Sequence, residues 1–372
     1  MNFEQLGISS KYTEQLKKQG ITEPTEVQEE SIPLVLEGKD VLVESETGSG
    51  KTLAFSLPIM EKISGNAIQA LVLSPTRELA KQISNEIDKA SAGDIETVTI
   101  YGGVSYEPQI QGAKTANIVV GTPGRVLDLL KQKKVDVSDL DYFVLDEADK
   151  MMDMGFQDEL EQIIKFCPED RQNLLFGATI PRDLRKMCDK YSIDPETIRI
   201  KRKKHTRNLT EKYVDAKRNR KLSTLYTFLT ERDRDLSIVF CQRKDTTRWV
   251  ADKLRKNGID AQELNGDMSQ HKREKIVEEF KNRNLKVIVA TDVAARGLHI
   301  DNITHVFNYD VPNTPDTYTH RVGRAGRQGE EGEAITLLEK RDHQKFRSIK
   351  RKHKKKINRI DRSTLDLKKV KT

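Results

Sequence analysis

Read from its amino terminus, the chain sets short apolar runs against longer stretches in which apolar residues recur every three or four positions. The runs Asp40-Val-Leu-Val-Glu44, Ala70-Leu-Val-Leu73, Thr97-Val-Thr-Ile100, Asn117-Ile-Val-Val120, Tyr142-Phe-Val-Leu145 and Leu174-Leu-Phe176 read as strands. Between them, 77–91, 125–131 and 156–166 have helical spacing, as do a stretch ending at Gly20 and one that a Pro24-Thr25 turn caps and Gln28 opens. Strand alternating with helix argues for a parallel, doubly wound sheet, whose ligands bind at the strands' carboxyl ends. Each run here is followed at once by polar or glycine-rich residues, which is where that rule places function.

Around Lys201-Arg-Lys-Lys-His-Thr-Arg-Asn208 the periodicity stops and charge takes over. A second series then repeats the layout: Lys212-Tyr-Val-Asp215, Leu236-Ser-Ile-Val-Phe-Cys241, Ala261-Gln-Glu-Leu264, Lys286-Val-Ile-Val-Ala290, His305-Val-Phe-Asn308 and Ala334-Ile-Thr-Leu-Leu338. The predicted organisation is an α/β domain over 1–200, a basic linker over 201–210, a second α/β domain over 211–345 and a basic tail over 346–372.

One loop in the first series carries chemistry. Ser45-Glu46-Thr47-Gly48-Ser49-Gly50-Lys51-Thr52 lies between a strand and a segment with helical apolar spacing (Leu53, Phe55, Leu57, Ile59). Gly48 and Gly50 let the backbone curl so that successive N–H groups face phosphate oxygens. Lys51 brings a point charge to the β/γ-phosphates, and the Thr52 hydroxyl can ligate Mg²⁺. The pattern Gly-x4-Gly-Lys-Ser/Thr is met except at its first position, held by Ser45; a glycine turn after a strand also has purely structural uses. The second series has no such loop, so two similar domains are expected to share one nucleotide across a hinge.

Asp146-Glu147-Ala148-Asp149 ends the strand run 142–145. With a phosphate-loop lysine in the same chain, Asp146 suits the metal of a Mg·ATP site and Glu147 suits the attacking water, although acidic residues also favour helix starts. In the second series, His320-Arg321-Val-Gly323-Arg324-Ala-Gly326-Arg327 offers Arg324 and Arg327 as arginine fingers for the transferring phosphate.

Length and charge sharpen this picture. A chain of 372 residues suits two domains of middling size, and 36% apolar with 33% charged residues suits soluble α/β cores. The net charge of +7 is unevenly spread: fourteen Lys/Arg against three Asp over 341–372 make +11 there and leave −4 for residues 1–340. A basic end is the usual electrostatic footprint of nucleic-acid binding, though it also serves as a solvated, solubilising terminus. Cys167, Cys188 and Cys241 are far apart and without histidines at metal-ligand spacing, which speaks against disulfides and zinc. With no secretory signal and no apolar run near the roughly 20 residues of a membrane helix, a reducing cytoplasm and no membrane partner are expected.

Further motifs stand in a fixed order: Pro75-Thr-Arg-Glu-Leu-Ala80, Gly102-Gly103, Thr122-Pro-Gly-Arg125 and Ala290-Thr-Asp-Val-Ala-Ala-Arg-Gly297. Together with the loop, the Asp-Glu-Ala-Asp run and the arginine run, they make the chain resemble the DEAD-box ATP-dependent RNA helicases over nearly its whole length. The resemblance implies two tandem RecA-like domains, ATP and Mg²⁺ as cofactors, and RNA as partner. It makes Phe3 the isolated upstream aromatic and Gln28 the adenine-reading glutamine. It adds Ile21, Asp149, Gly297 and His299 to the nucleotide site and Gly177 and Thr179 to the coupling between hydrolysis and duplex opening. It places Thr76, Arg77, Gly103, Thr122 and Arg125 on the RNA backbone in the first domain, and Gly266, Arg273 and Thr291 in the second. Small residues, hydroxyls and arginines suit phosphate and ribose rather than base edges, which implies sequence-independent binding. Ribosomal or other ribonucleoprotein particles are partners the family allows.

The chain departs from the family pattern at four positions. Ser45 stands for the usual small Ala. Ile21 stands for an aromatic that packs on adenine, which implies weaker ATP affinity. Gly177 stands for the serine of Ser-Ala-Thr, and His299 for an Asp near the ribose. The last two raise the alternative of an ATP-dependent RNA clamp that unwinds weakly; a DNA helicase fits the motif set less well.

Overall fold

The computed structural model describes residues 1–46, 48–65, 67–191, 193–200, 209–230, 236–295, 303–326, 331–353 and 356–370. The chain divides into two units, 1–203 and 204–372. The first contains β1 (Val41–Glu44), β2 (Ala70–Leu73), β3 (Thr97–Ile100), β4 (Ile118–Gly121), β5 (Tyr142–Leu145), β6 (Gln172–Gly177) and β7 (Glu196–Arg199). The second contains β8 (Leu209–Asp215), β9 (Ser237–Cys241), β10 (Ala261–Leu264), β11 (Val287–Thr291), β12 (His305–Asn308), β13 (Gly332–Leu338) and β14 (Asn358–Ile360).

Among the described residues each unit carries one seven-stranded parallel sheet, ordered β3-β4-β2-β5-β6-β1-β7 in the first and β10-β11-β9-β12-β13-β8-β14 in the second. Adding seven to each strand number of the first order yields the second, so the two units are one topology used twice. This is the tandem RecA-like, doubly wound fold that the sequence implied.

Apolar runs make these strands because both faces of each sheet are covered. In β5, Tyr142 and Val144 enter one core while Phe143 and Leu145 enter the other; Ala70 and Val72 of β2 divide from Leu71 and Leu73 in the same way. Helices Glu26–Leu36, Lys51–Lys62 and Arg77–Ala90 bring Val27, Phe55 and Ile83 to the first layer. Helices Pro123–Lys131, Gln157–Ile164 and Arg182–Lys190 bring Leu129, Leu160 and Leu184 to the second. With no face exposed, successive apolar residues on a strand are all useful, which explains runs rather than strict alternation.

Three expectations change. Leu209 and Thr210, read as the end of the linker, belong to β8, where they pair with Gly332 and Glu333 of β13; the rest of the expected linker, 201–208, lies outside the described residues. The helix expected to open at Gln28 starts at Glu26, because Thr25 caps it. The expected tail from 346 is built into the second unit: helix His343–Lys352 buries Phe346 and Ile349, Ile357 is 5% exposed, and β14 pairs with β8. The Phe346 ring lies 5.2 Å from that of Tyr213 on β8. Burying a large apolar side chain is worth about 1.5–3 kcal/mol, enough to hold a segment whose remaining residues are mostly charged. Lys354 and Lys355 of this segment lie outside the described residues. Among the described residues, no helix is long and apolar enough to cross a membrane.

Candidate functional site

The phosphate-type loop leaves β1 in register with β6, Ser45 N donating to Gly177 O at 2.9 Å. Gly48 and Gly50 hold φ of +81° and +89°, a left-handed backbone that glycine adopts at least cost. Gly50 is required twice over, because a Cβ there would stand 2.5 Å from Gln28 Nε2. Gln28 and Thr25 form the capping box of helix Glu26–Leu36, with Thr25 N donating to Gln28 Oε1 at 2.9 Å. The same two side chains grip the loop: Thr25 Oγ1 donates to Ser49 O at 2.8 Å and Gln28 Nε2 to Gly50 O at 2.9 Å. Gln28 is 2% exposed. A carboxamide offers two N–H donors and two oxygen lone pairs, so these bonds leave one of each for an adenine.

Lys51 is 7% exposed and donates to Ser45 O at 3.0 Å and Glu46 O at 2.8 Å. Its ammonium therefore rests inside the curl of its own loop. Ser45 Oγ and Ser49 Oγ, 3.1 Å apart, tie the loop across its mouth, a bond the usual alanine does not make. Thr52 follows Lys51 in the first turn of helix Lys51–Lys62. Thr47 lies outside the described residues. Ile21 packs partly buried against the first core, and Phe3, 3% exposed, is one of that core's members.

β5 delivers the carboxylates. Asp146 is 4% exposed, and burial pushes its carboxyl up to about 6 against the pull of Lys51. Such a carboxyl, desolvated beside an ammonium at a strand's carboxyl end, fits a divalent cation, which would stabilise its ionised form. Glu147 N donates to Asp146 Oδ1 at 2.9 Å, and the Glu147 carboxylate is ion-paired to Lys150. Glu147 has φ 52° and ψ 43°, left-handed for a residue with a Cβ. Asp149 Oδ2 accepts from Thr179 N at 3.1 Å and Thr179 Oγ1 at 3.2 Å, which joins β5 to the end of β6. Asp149 Oδ1 is buried without a hydrogen-bond partner, 3.3 Å from where a Cβ on Gly177 would stand.

The other residues assigned to a polynucleotide gather after β2, β3 and β4. Thr76 caps helix Arg77–Ala90, accepting from Leu79 N at 3.3 Å. Gly103, with φ +85°, lies against the Arg77 guanidinium so closely that any Cβ would collide with it. Thr122 begins helix Pro123–Lys131, and Arg125 in its first turn donates from Nη1 to Val104 O at 3.2 Å. Parallel strands bring these groups to one edge, and strand order divides that edge: nucleotide-type groups follow β1, β5 and β6, backbone-type groups follow β2, β3 and β4.

The second unit repeats the arrangement, with Gly266 after β10 and Thr291 at the end of β11. Arg273 Nη2 donates to Ala294 O at 2.7 Å, and Thr291 Oγ1 accepts from Ala294 N at 3.4 Å. Arg324 is 9% exposed; Arg327, Gly297 and His299 lie outside the described residues. Sequence reasoning passed over Arg321. It is 2% exposed and binds Asp292 bidentately, Nε to Oδ1 at 2.6 Å and Nη2 to Oδ2 at 2.8 Å. Its Nη1 donates to Asn308 Oδ1 at 3.0 Å and Asp310 O at 2.7 Å, so it joins the ends of β11 and β12. The available signal was its three-residue spacing from the inward Tyr318 in helix Pro315–Val322.

Comparison with known proteins agrees with this geometry. Residues 25–187 match the DEAD/DEAH box helicase family and 220–329 the helicase conserved C-terminal domain. The chain is 44% identical over 343 residues to the DEAD-box ATP-dependent RNA helicase CshA of Streptococcus pneumoniae, covering 91% of this chain and 66% of that one. It thus spans just under two thirds of that relative's length. It is 38% identical to a probable ATP-dependent RNA helicase of Methanocaldococcus jannaschii, covering 97% of this chain and 98% of that one. Among solved structures, S. cerevisiae Dbp5 bound to RNA and ADP BeF3 superposes with a TM-score of 0.85 at 29% identity, covering 96% of this chain and 95% of that one. With loop, carboxylates and arginines placed as described, and with a relative of this identity matched along almost its full length, the chain belongs to the DEAD-box family of ATP-dependent RNA helicases.

Proposed function

We propose that this chain is an RNA-stimulated ATPase that opens short RNA duplexes or remodels RNA–protein contacts. The observation that supports the reading is the order of the first sheet, which sets the glycine loop, Asp146 and Thr179 at the ends of β1, β5 and β6 and the hydroxyl and arginine groups suited to a phosphodiester at the ends of β2, β3 and β4. ATP turnover by Lys51 and Glu147 is then a short path through one rigid sheet from the strand held by Arg77 and Arg125.

Lys51 moves its ammonium from the Ser45 and Glu46 carbonyls to the β/γ-phosphates, Gln28 reads adenine with its remaining donor and acceptor, and Glu147 orients and deprotonates the attacking water. Arg324 and Arg327 supply positive charge as the phosphoryl group transfers. Asp146 and Thr52 would hold Mg²⁺, which when bound supplies charge neutralisation to the phosphate oxygens. RNA is held through phosphates and 2′-hydroxyls by Thr76, Arg77, Gly103, Thr122, Arg125, Gly266, Arg273 and Thr291, so structured RNA of ribonucleoprotein particles fits as substrate. The three buried thiols, with Cys167 and Cys188 pushed up to about 11, suit a reducing cytoplasm.

The test is Glu147→Gln. Positioned water activation is typically worth 10²–10⁴, so RNA-stimulated turnover should fall about 100-fold or more while ATP still binds. Near-normal turnover, or wild-type turnover that proceeds as fast without RNA, overturns the proposal.

A further inference from the structure

Arg125 is not held by its own helix alone. Its guanidinium carbon lies 3.8 Å from the centre of the Tyr106 ring, and Tyr106 is 40% exposed, an uncommon setting for a large aromatic. The ring is anchored at its far end: Tyr106 Oη donates to Asp128 Oδ2 at 2.5 Å, and Asp128 Oδ1 accepts from Gln132 Nε2 at 2.8 Å. Asp128 sits one turn beyond Arg125 in helix Pro123–Lys131, so the phenol spans from the segment after β3 to the helix after β4. Val104, from the same segment, completes the seat by accepting from Arg125 Nη1 at 3.2 Å.

An arginine side chain on a surface samples many rotamers, and fixing it on a phosphate costs that freedom at the moment of binding. A guanidinium already stacked on a pinned ring has lost most of it beforehand. Of its five N–H donors one is directed to Val104, which leaves donors for a phosphodiester. The ring face also favours the charged, planar fork over any other cation of similar size.

We infer that Tyr106 is a positioning residue for RNA binding: stacked under Arg125 and pinned to Asp128, it presents the arginine to the RNA backbone. This rests on the proposal that Arg125 contacts RNA phosphate.

The test is RNA titration of ATP turnover in the full chain with a single-stranded homopolymer, for wild type, Y106F, Y106L, R125A and the double variant Y106L/R125A. Cation–π contacts at exposed sites are worth about a two- to fivefold change in an equilibrium constant. Y106L, which keeps apolar bulk and loses the ring, should raise the half-saturating RNA concentration about two- to fivefold while the rate at saturating RNA holds. Y106F, which keeps the ring, should recover most of the loss. R125A should raise half-saturation further, and adding Y106L to it should change nothing more, since both act through one guanidinium. Half-saturation unmoved in Y106L, a fall in the saturating rate instead, or losses that add in the double variant overturns the inference and leaves the RNA role of Arg125 intact. An unmoved half-saturation in R125A removes the RNA role itself.

Discussion

At the scale of single residues, the site holds groups in states that a soluble domain would otherwise avoid. Glu147 keeps a left-handed backbone, which costs a residue with a Cβ roughly 1 kcal/mol, and does so beside a carboxyl that burial has pushed up to about 6. Because the folded protein holds the Asp146 proton more tightly than an unfolded chain at 3.8, no penalty exists below about pH 4. The penalty grows as pH rises between the two values and is complete above about 6, where it reaches about 3 kcal/mol. Asp146→Asn should therefore stabilise the ligand-free protein by about 1–3 kcal/mol at neutral pH, with the gain vanishing towards pH 4, while ATP turnover is lost. Thermal melts across that range check it; a variant no more stable than wild type at neutral pH contradicts the assignment.

Gly177 poses a second question at this scale. Asp149 reaches β6 through Thr179 without the serine usual to the family, but its Oδ1 is left bare. Gly177→Ser brings a hydroxyl to that oxygen but also a Cβ 2.9 Å from Thr179 O. A net hydrogen bond of about 0.5–1.5 kcal/mol offsets that approach, so duplex separated per ATP should exceed that of Gly177→Ala about two- to tenfold, with turnover held within twofold. Gly177→Ala is the contrasting variant: its Cβ would stand 2.9 Å from Thr179 O and bring no donor, so separation should fall. Strand-displacement assays with matched ATP turnover distinguish the two outcomes.

At the scale of elements, twelve strands among the described residues were legible, most of them as apolar runs because a strand covered on both faces uses every residue, with β3, β8 and β10 carrying partly exposed polar positions. The two that were not, β7 and β14, each lie at one edge of their sheet, opposite β3 and β10, which kept enough apolar positions to be read. Their sequences Glu196-Thr-Ile-Arg199 and Asn358-Arg-Ile360 carry one apolar residue each, and only Ile198 is buried. An edge strand with one packed face and charged neighbours reads as loop from periodicity alone, and such charge is what keeps an open edge from pairing with another chain. The site was legible for the same physical reason in reverse. Loop glycines and strand-end carboxylates are costly to place and rarely stand together by chance, whereas Arg321 and Tyr106 depend on partners distant in sequence. The buried segment after residue 345 also decides how its charge must be tested. Cutting there removes Phe346, Ile349 and β14, so truncation should destabilise the second unit whatever the segment binds. Arg347→Glu with Arg351→Glu alters only the exposed face of that helix. If this face adds phosphate contacts, the pair should weaken RNA binding and reduce the slope of log affinity on log salt by about 1–2, with melting unchanged; an unaltered slope makes the charge a solvation device.

At the scale of the whole chain, a single topology has been written twice and given different chemistry. The first copy holds the phosphate-type loop and the carboxylates; the second holds Arg321 paired to Asp292 at the end of β11. Duplication explains why the second unit was readable as an α/β domain without a loop motif of its own. The strand within the expected tail follows the same plan: strand for strand, β14 is to β8 what β7 is to β1.

That correspondence bears on synthesis. β8 is the first strand of its sheet to leave the ribosome and β14 the last, and they are neighbours. The first unit can close its sheet once residue 199 has emerged, long before the second is complete. The second must wait with one flank of β8 open until residue 360 is released, so a nascent chain stalled before that point carries a finished ATP-type lobe followed by an unsealed one.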